Sequence, residues 1–86
     1  MQRAPEHFGD QELTLIYIAK RLTEALRLEN LLTESGLDYL VEPDKYSGGI
    51  IFQSELVGAF FYVAPGDEDA AKDTLSRHGF QPYKTE

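Results

Sequence analysis

The residues of this chain that could do chemistry are few and scattered. Imidazole can serve as a general base or a metal ligand near neutral pH. The two histidines, His7 and His78, stand near opposite ends of the sequence. A working histidine needs a serine, cysteine or carboxylate placed against it, and no spacing here supplies one. Asp67-Glu68-Asp69 offers three adjacent carboxylates. Neighbours at a helix start point in different directions, so the run reads as a helix cap plus negative charge against the positive end of the dipole. It is not a cation cage. Cysteine is absent, which removes disulfides, thiolate zinc sites, iron–sulfur clusters and cysteine nucleophiles together. Lys20, Arg21 and Arg27 form the one local basic group, and Glu24, Glu29 and Glu34 interrupt it. An anion cradle after a strand needs glycine, yet Ala19 runs directly into Lys20-Arg21-Leu22. These residues predict no catalytic site, no metal and no cofactor.

The stretch Glu42-Pro43-Asp44-Lys45-Tyr46-Ser47-Gly48-Gly49 is the strongest candidate for binding. It reads as a turn-forming loop that is long for so small a domain, and long loops in compact domains are disproportionately functional. Lys45, Tyr46, Ser47, Gly48 and Gly49 are its candidate contacts, for a protein partner or a small-molecule effector.

The elements that would carry these residues follow from periodicity. Residues 1–11 read as a flexible tail, and 12–86 as a single domain. Leu13 to Ala19 is apolar on both alternating faces and predicts a central strand. Lys20 to Ser35 predicts a helix with Leu22, Ala25, Leu26 and Leu32 on one side, widened by Leu28 and Leu31. Glu29 falls inside that arc, where it would snorkel to the rim or pair with Arg27 or Lys72. Leu37 to Glu42 predicts a second strand stopped by Pro43. Ile50 to Phe52 is a short β-like run. Ala59 to Ala64 is the most apolar run and predicts another central strand.

Asp67 opens a second helix whose inward residues are Ala70, Ala71, Thr74, Leu75 and His78. Phe80 to Tyr83 predicts a last strand, and Pro82 confines it to a sheet edge. Both helices end alike: Leu32-Thr33-Glu34-Ser35-Gly36-Leu37 is echoed by Leu75-Ser76-Arg77-His78-Gly79-Phe80. Each glycine would cap its helix at positive φ. The whole is strand–helix–strand twice over, an α+β ferredoxin-like βαββαβ sandwich. Its antiparallel sheet has order 4-1-3-2, with both helices on one face.

One face of such a sheet has nothing to cover it. The third strand nevertheless supplies large residues to both faces, so Phe60, Phe61 and Tyr62 are candidate interface residues of a homo-oligomer. Aromatics on an open sheet can also stack RNA bases, but the net charge of −7 argues against nucleic acid and anionic membrane. No apolar run approaches the length of a membrane span. With nothing to suggest secretion, the expected location is cytoplasmic.

The chain resembles a family of prokaryotic signal-transducing proteins within the superfamily of the nitrogen-regulatory PII proteins. The resemblance lies in Leu15-Ile16-Tyr17-Ile18, in Glu24-Ala25 with Leu31 to Leu37, and in the junction from Phe61-Tyr62-Val63-Ala64 through Pro65-Gly66-Asp67-Glu68-Asp69-Ala70. It implies a ferredoxin-like fold and self-association. PII-like proteins act through the connection between the second and third strands, here Asp44 to Leu56. The function expected is therefore a small non-enzymatic interaction or regulatory module that self-associates through its sheet. The alternative is an enzyme subunit or ligand-binding domain whose site forms between protomers, with Glu29, His78 and Tyr83 as its side chains.

Overall fold

The computed structural model describes residues 1–47 and 55–83. Its elements are β1 (Thr14–Ala19), α1 (Leu22–Glu34), β2 (Leu40–Ser47), β3 (Glu55–Val63) and α2 (Glu68–Arg77), with 3-10 turns at Pro5–Phe8 and Pro65–Asp67. The strands form a three-stranded antiparallel sheet of order β1-β3-β2. The fold is α+β. Ala25, Leu28 and Leu32 of α1 and Ala71 and Leu75 of α2 share one core cluster with Ile16, Tyr39, Phe61 and Val63. Both helices therefore cover the sheet face that carries Phe61.

β3 is central because it is apolar on both faces. β1 packs against one side of it with an irregular register: Leu15 opposes Tyr62, and Tyr17 opposes Phe61. Ile16 is the extra residue of this bulge. The bulge explains why Ile16 is fully buried while Tyr17, its neighbour, also packs on the core. Strict alternation would send the two to opposite faces.

β2 begins later and runs further than the sequence suggests. It pairs with β3 from Leu40↔Tyr62 to Ser47↔Glu55, through Pro43↔Ala59. Pro43 does not stop it. β2 is an edge strand, and a missing N–H is harmless where it faces away from the ladder. Lys45, Tyr46 and Ser47, expected in a loop, therefore lie in the strand opposite Val57, Leu56 and Glu55. Gly48 and Gly49, and the Ile50 to Phe52 run, lie outside the described residues.

The apolar face of α1 is narrower than its leucine content implies. Ala25, Leu28 and Leu32 are buried, whereas Leu22 is 74% exposed and Leu26 50%. Too many leucines compete for one face, and packing against the sheet buries only the 25/28/32 set. α2 buries Ala71, Thr74 and Leu75. Ala70 and His78, expected inward, are exposed. Asp67 sits at the N-cap of α2 but makes no side-chain capping bond, because the preceding 3-10 turn already directs the chain into the helix. Glu68 instead accepts from Lys72 Nζ at 2.7 Å.

The two helix ends are alike, as the repeat predicts. Leu37 N donates to Leu32 O at 3.1 Å, and Phe80 N donates to Leu75 O at 2.9 Å. Each bond spans a glycine at positive φ, 76° at Gly36 and 85° at Gly79. This is the Schellman closure, with an apolar residue following the cap. A Cβ at either glycine would meet nothing within 4 Å, so a substitution costs backbone strain alone. Gly36→Val or Gly79→Val should lower stability by about 1–2 kcal/mol, read as a shift in the urea midpoint at constant slope. An unchanged midpoint for both would refute the cap assignment.

Residues 80–83 form no strand. One backbone bond, Tyr83 N to Ile16 O at 2.7 Å, holds them beside β1. Pro82 removes a donor in the middle of the segment, which leaves little with which to build a ladder.

Candidate functional site

Three regions present themselves: the sheet face opposite the helices, the N-terminal segment that borders it, and a cavity where β1 meets α1. The strand register defines the first. Leu15 opposes Tyr62, Ile18 opposes Phe60 and Leu40 opposes Tyr62, so these residues share the face turned away from Phe61. Leu15, Ile18, Phe60 and Tyr62 are half-buried there. Phe61, grouped with Phe60 and Tyr62 as an interface residue, belongs to the opposite face. It is fully buried beneath the helices, its ring 5.9 Å from that of Tyr39. Period-two alternation makes a contiguous three-residue interface on one strand impossible.

Residues 1–11, expected as a flexible tail, are docked against the domain. Arg3 N donates to Tyr39 O at 2.8 Å and Tyr39 N donates to Met1 O at 3.1 Å, which gives a parallel bridge between Gln2 and Tyr39. Residues 2–5 and Leu40 line one shallow cavity. Phe8 is buried, yet it stands outside the main core cluster, as Leu40 does. The N-terminal segment thus borders the Leu40 end of the sheet.

Asp38 is the polar anchor of this docking. Its carboxylate accepts from Arg3 Nε at 2.9 Å and lies 3.3 Å from His7 Nε2. The Arg3 hydrogen bond, chiefly, holds the Asp38 carboxyl below the usual carboxylate range. A carboxyl whose pKa is depressed by folding stabilises the docked state above its unfolded pKa, and that contribution is lost as pH falls through the folded value. Acidification below about pH 4 should therefore release the segment before the core melts. The check is amide exchange: the Arg3 and Tyr39 amides should lose protection first. Simultaneous loss across the whole protein would contradict this.

Tyr39 ties β2 to α1. Its hydroxyl donates to Glu29 O at 3.0 Å and stands 3.0 Å from Thr33 Oγ1, which is placed to donate to it. Burial is the main cause of its raised pKa. Sequence reading singled out neither Tyr39 nor Asp38. A tyrosine among strand apolars carries no periodic signal, and an aspartate acquires meaning only from the segment that folds back onto it.

A cavity of about 680 Å³ lies between the end of β1, the first turn of α1 and residues 81–83. Tyr17, Lys20, Arg21, Glu24, Gln81 and Tyr83 line it. Glu24 accepts from Lys20 N at 3.2 Å, a reach-back of the kind seen in capping boxes. Burial, and then this carboxylate, push the Tyr17 pKa up, which keeps the phenol a donor. A smaller apolar hollow lined by Ala19, Leu22, Ala25, Pro43 and Ala59 adjoins it at Lys20-Arg21.

The side chains of the enzyme alternative do not converge within one protomer. Tyr83 lines the large cavity. His78 lines a separate hollow with Arg27, Glu34 and Phe80, and Glu29 lines neither. Arg27 lies over the Phe80 ring at 5.6 Å, and Lys72 bonds Glu68, so neither expected cation is paired with Glu29. Among the described residues no group of three or more metal-ligating side chains comes together. No helix among them is long and apolar enough to cross a membrane.

No family of known proteins, no curated protein and no solved structure matches the chain.

Proposed function

We propose that this chain is a small, cytoplasmic, non-enzymatic interaction or regulatory module that self-associates through the sheet face opposite its helices. One observation carries the reading. Leu15, Ile18, Phe60 and Tyr62 share that face and are only half-buried, although four large apolar side chains would gain from full burial. Removing ~500 Å² of such surface from water would be worth about 12 kcal/mol before association costs. An 86-residue chain has little core of its own, and a second copy is an economical way to extend it.

The architecture is read as ferredoxin-like with sheet order 4-1-3-2, residues 80–83 taking the fourth position. The Tyr83–Ile16 backbone bond beside β1 supports that order. The resemblance to PII-like signal-transducing proteins points the same way, toward regulation by assembly. The β2–β3 hairpin, with Lys45, Tyr46 and Ser47 near the end of β2 and Gly48 and Gly49 following, is the proposed contact for a protein partner or effector. Light scattering over a concentration series tests the assembly. A mass of at least twice 9.7 kDa is expected at high micromolar concentration, and a constant 9.7 kDa would refute it.

A further inference from the structure

The chain is strongly acidic, at −7, yet the cavity at the β1–α1 junction is lined by the Arg21 guanidinium, with Glu24 the one acid among its lining residues. That acid already accepts from the Lys20 amide. The other arginines are spent: Arg3 on Asp38, Arg77 on Asp73 and Arg27 over Phe80. The Arg21 guanidinium carries no ion pair among the described residues, and it lines this cavity. A guanidinium presents a planar fork that matches an oxyanion in two places at once.

The walls supply the rest of a site. Tyr17 and Tyr83 offer ring faces, the Tyr83 side chain being 40% exposed. Tyr17 is fixed at ring edge-to-face distance from Phe80, 5.6 Å between centroids. Gln81 adds a neutral donor and acceptor. The Tyr83 main chain is anchored to Ile16, so this wall is held against β1. The volume of about 680 Å³ lies within the range of small-molecule sites, which combine apolar and aromatic walls with a few convergent polar groups.

We infer that this cavity binds a small oxyanion carrying a flat ring, with Arg21 taking the carboxylate or phosphate and Tyr83 taking the ring. Nothing in this assignment requires the sheet-face assembly, since the residues that would bind all belong to one protomer. A guanidinium recognises carboxylate and phosphate by the same geometry, and the choice of probe separates the two.

The test is a titration of the isotopically labelled full chain with 4-hydroxybenzoate, adenosine monophosphate, adenosine and inorganic phosphate. Backbone and side-chain resonances are followed at fixed ionic strength. One of the two ring-bearing anions should shift Tyr17, Arg21, Gln81 and Tyr83 together at millimolar concentration or below. Adenosine and phosphate alone should bind more weakly than the anion that joins them. Arg21→Gln should weaken that binding by about tenfold or more, the loss expected when a charge-assisted hydrogen bond goes. Tyr83→Ala should weaken the ring-bearing probe but not phosphate. Arg21 is exposed, so its variant should fold, and an unchanged melting temperature without ligand checks this. The inference is overturned if neither ring-bearing anion binds, if shifts fall elsewhere, or if Arg21→Gln leaves the affinity unchanged.

Discussion

Phe61→Ala should remove about 3–5 kcal/mol of stability, the cost of truncating a large buried aromatic. Phe60→Ala, one residue away, should cost about 1 kcal/mol. The difference comes from alternation along β3. Phe61 is fully buried under both helices and meets Tyr39. Phe60 is half-buried on the opposite face, across from Ile18 and Glu42. A domain of this size holds about 5 kcal/mol in all, so the Phe61 variant should be largely unfolded at room temperature. Urea denaturation followed by circular dichroism reads both. Equal losses at the two positions would mean that the strand register is misplaced.

Replacing Phe60 and Tyr62 together with glutamate should dissociate the proposed assembly. Aromatic side chains are favoured anchors of interfaces, and burying two unpaired carboxylates against their own copies adds repulsion. The self-association constant should fall by roughly a hundredfold or more. The circular dichroism spectrum should stay folded, since both side chains lie on the face that the helices do not cover. Sedimentation velocity at matched concentrations is the measurement. A variant that remains folded and still assembles would move the interface elsewhere, and the exposed pair Leu22 and Leu26 on α1 would be the first place to look.

The parts of the structure legible in the sequence are those governed by local rules. Gly36 and Gly79 were readable as caps because a Schellman closure is a short-range event with a short-range signature. The apolar run ending at Val63 was readable as a central strand because both its faces are apolar. Judgements that depended on tertiary placement went differently. Pro43 reads as a strand terminator until β2 is known to be an edge strand. Leu22 and Leu26 read as core until the packing of α1 leaves them exposed. Ile16 and Tyr17 read as opposite-facing until a bulge turns both toward the helices. The cavity residues Tyr17, Glu24, Gln81 and Tyr83 are spread along most of the chain, and no spacing rule links them. Arg21 was visible as a basic residue, but its lack of an ion pair among the described residues is a fact of three dimensions.

The claim at the centre of this account is that the sheet face of Leu15, Ile18, Phe60 and Tyr62 is where copies of the chain meet. Amide chemical shifts followed on dilution from millimolar to low micromolar concentration test it most directly, because they report where as well as whether association occurs. The account predicts concentration-dependent shifts confined to β1 and β3 residues on that face, with Phe61, Leu28 and Leu75 in the core unmoved. Shifts confined to α1 around Leu22 and Leu26, or no dependence on concentration at all, would contradict it.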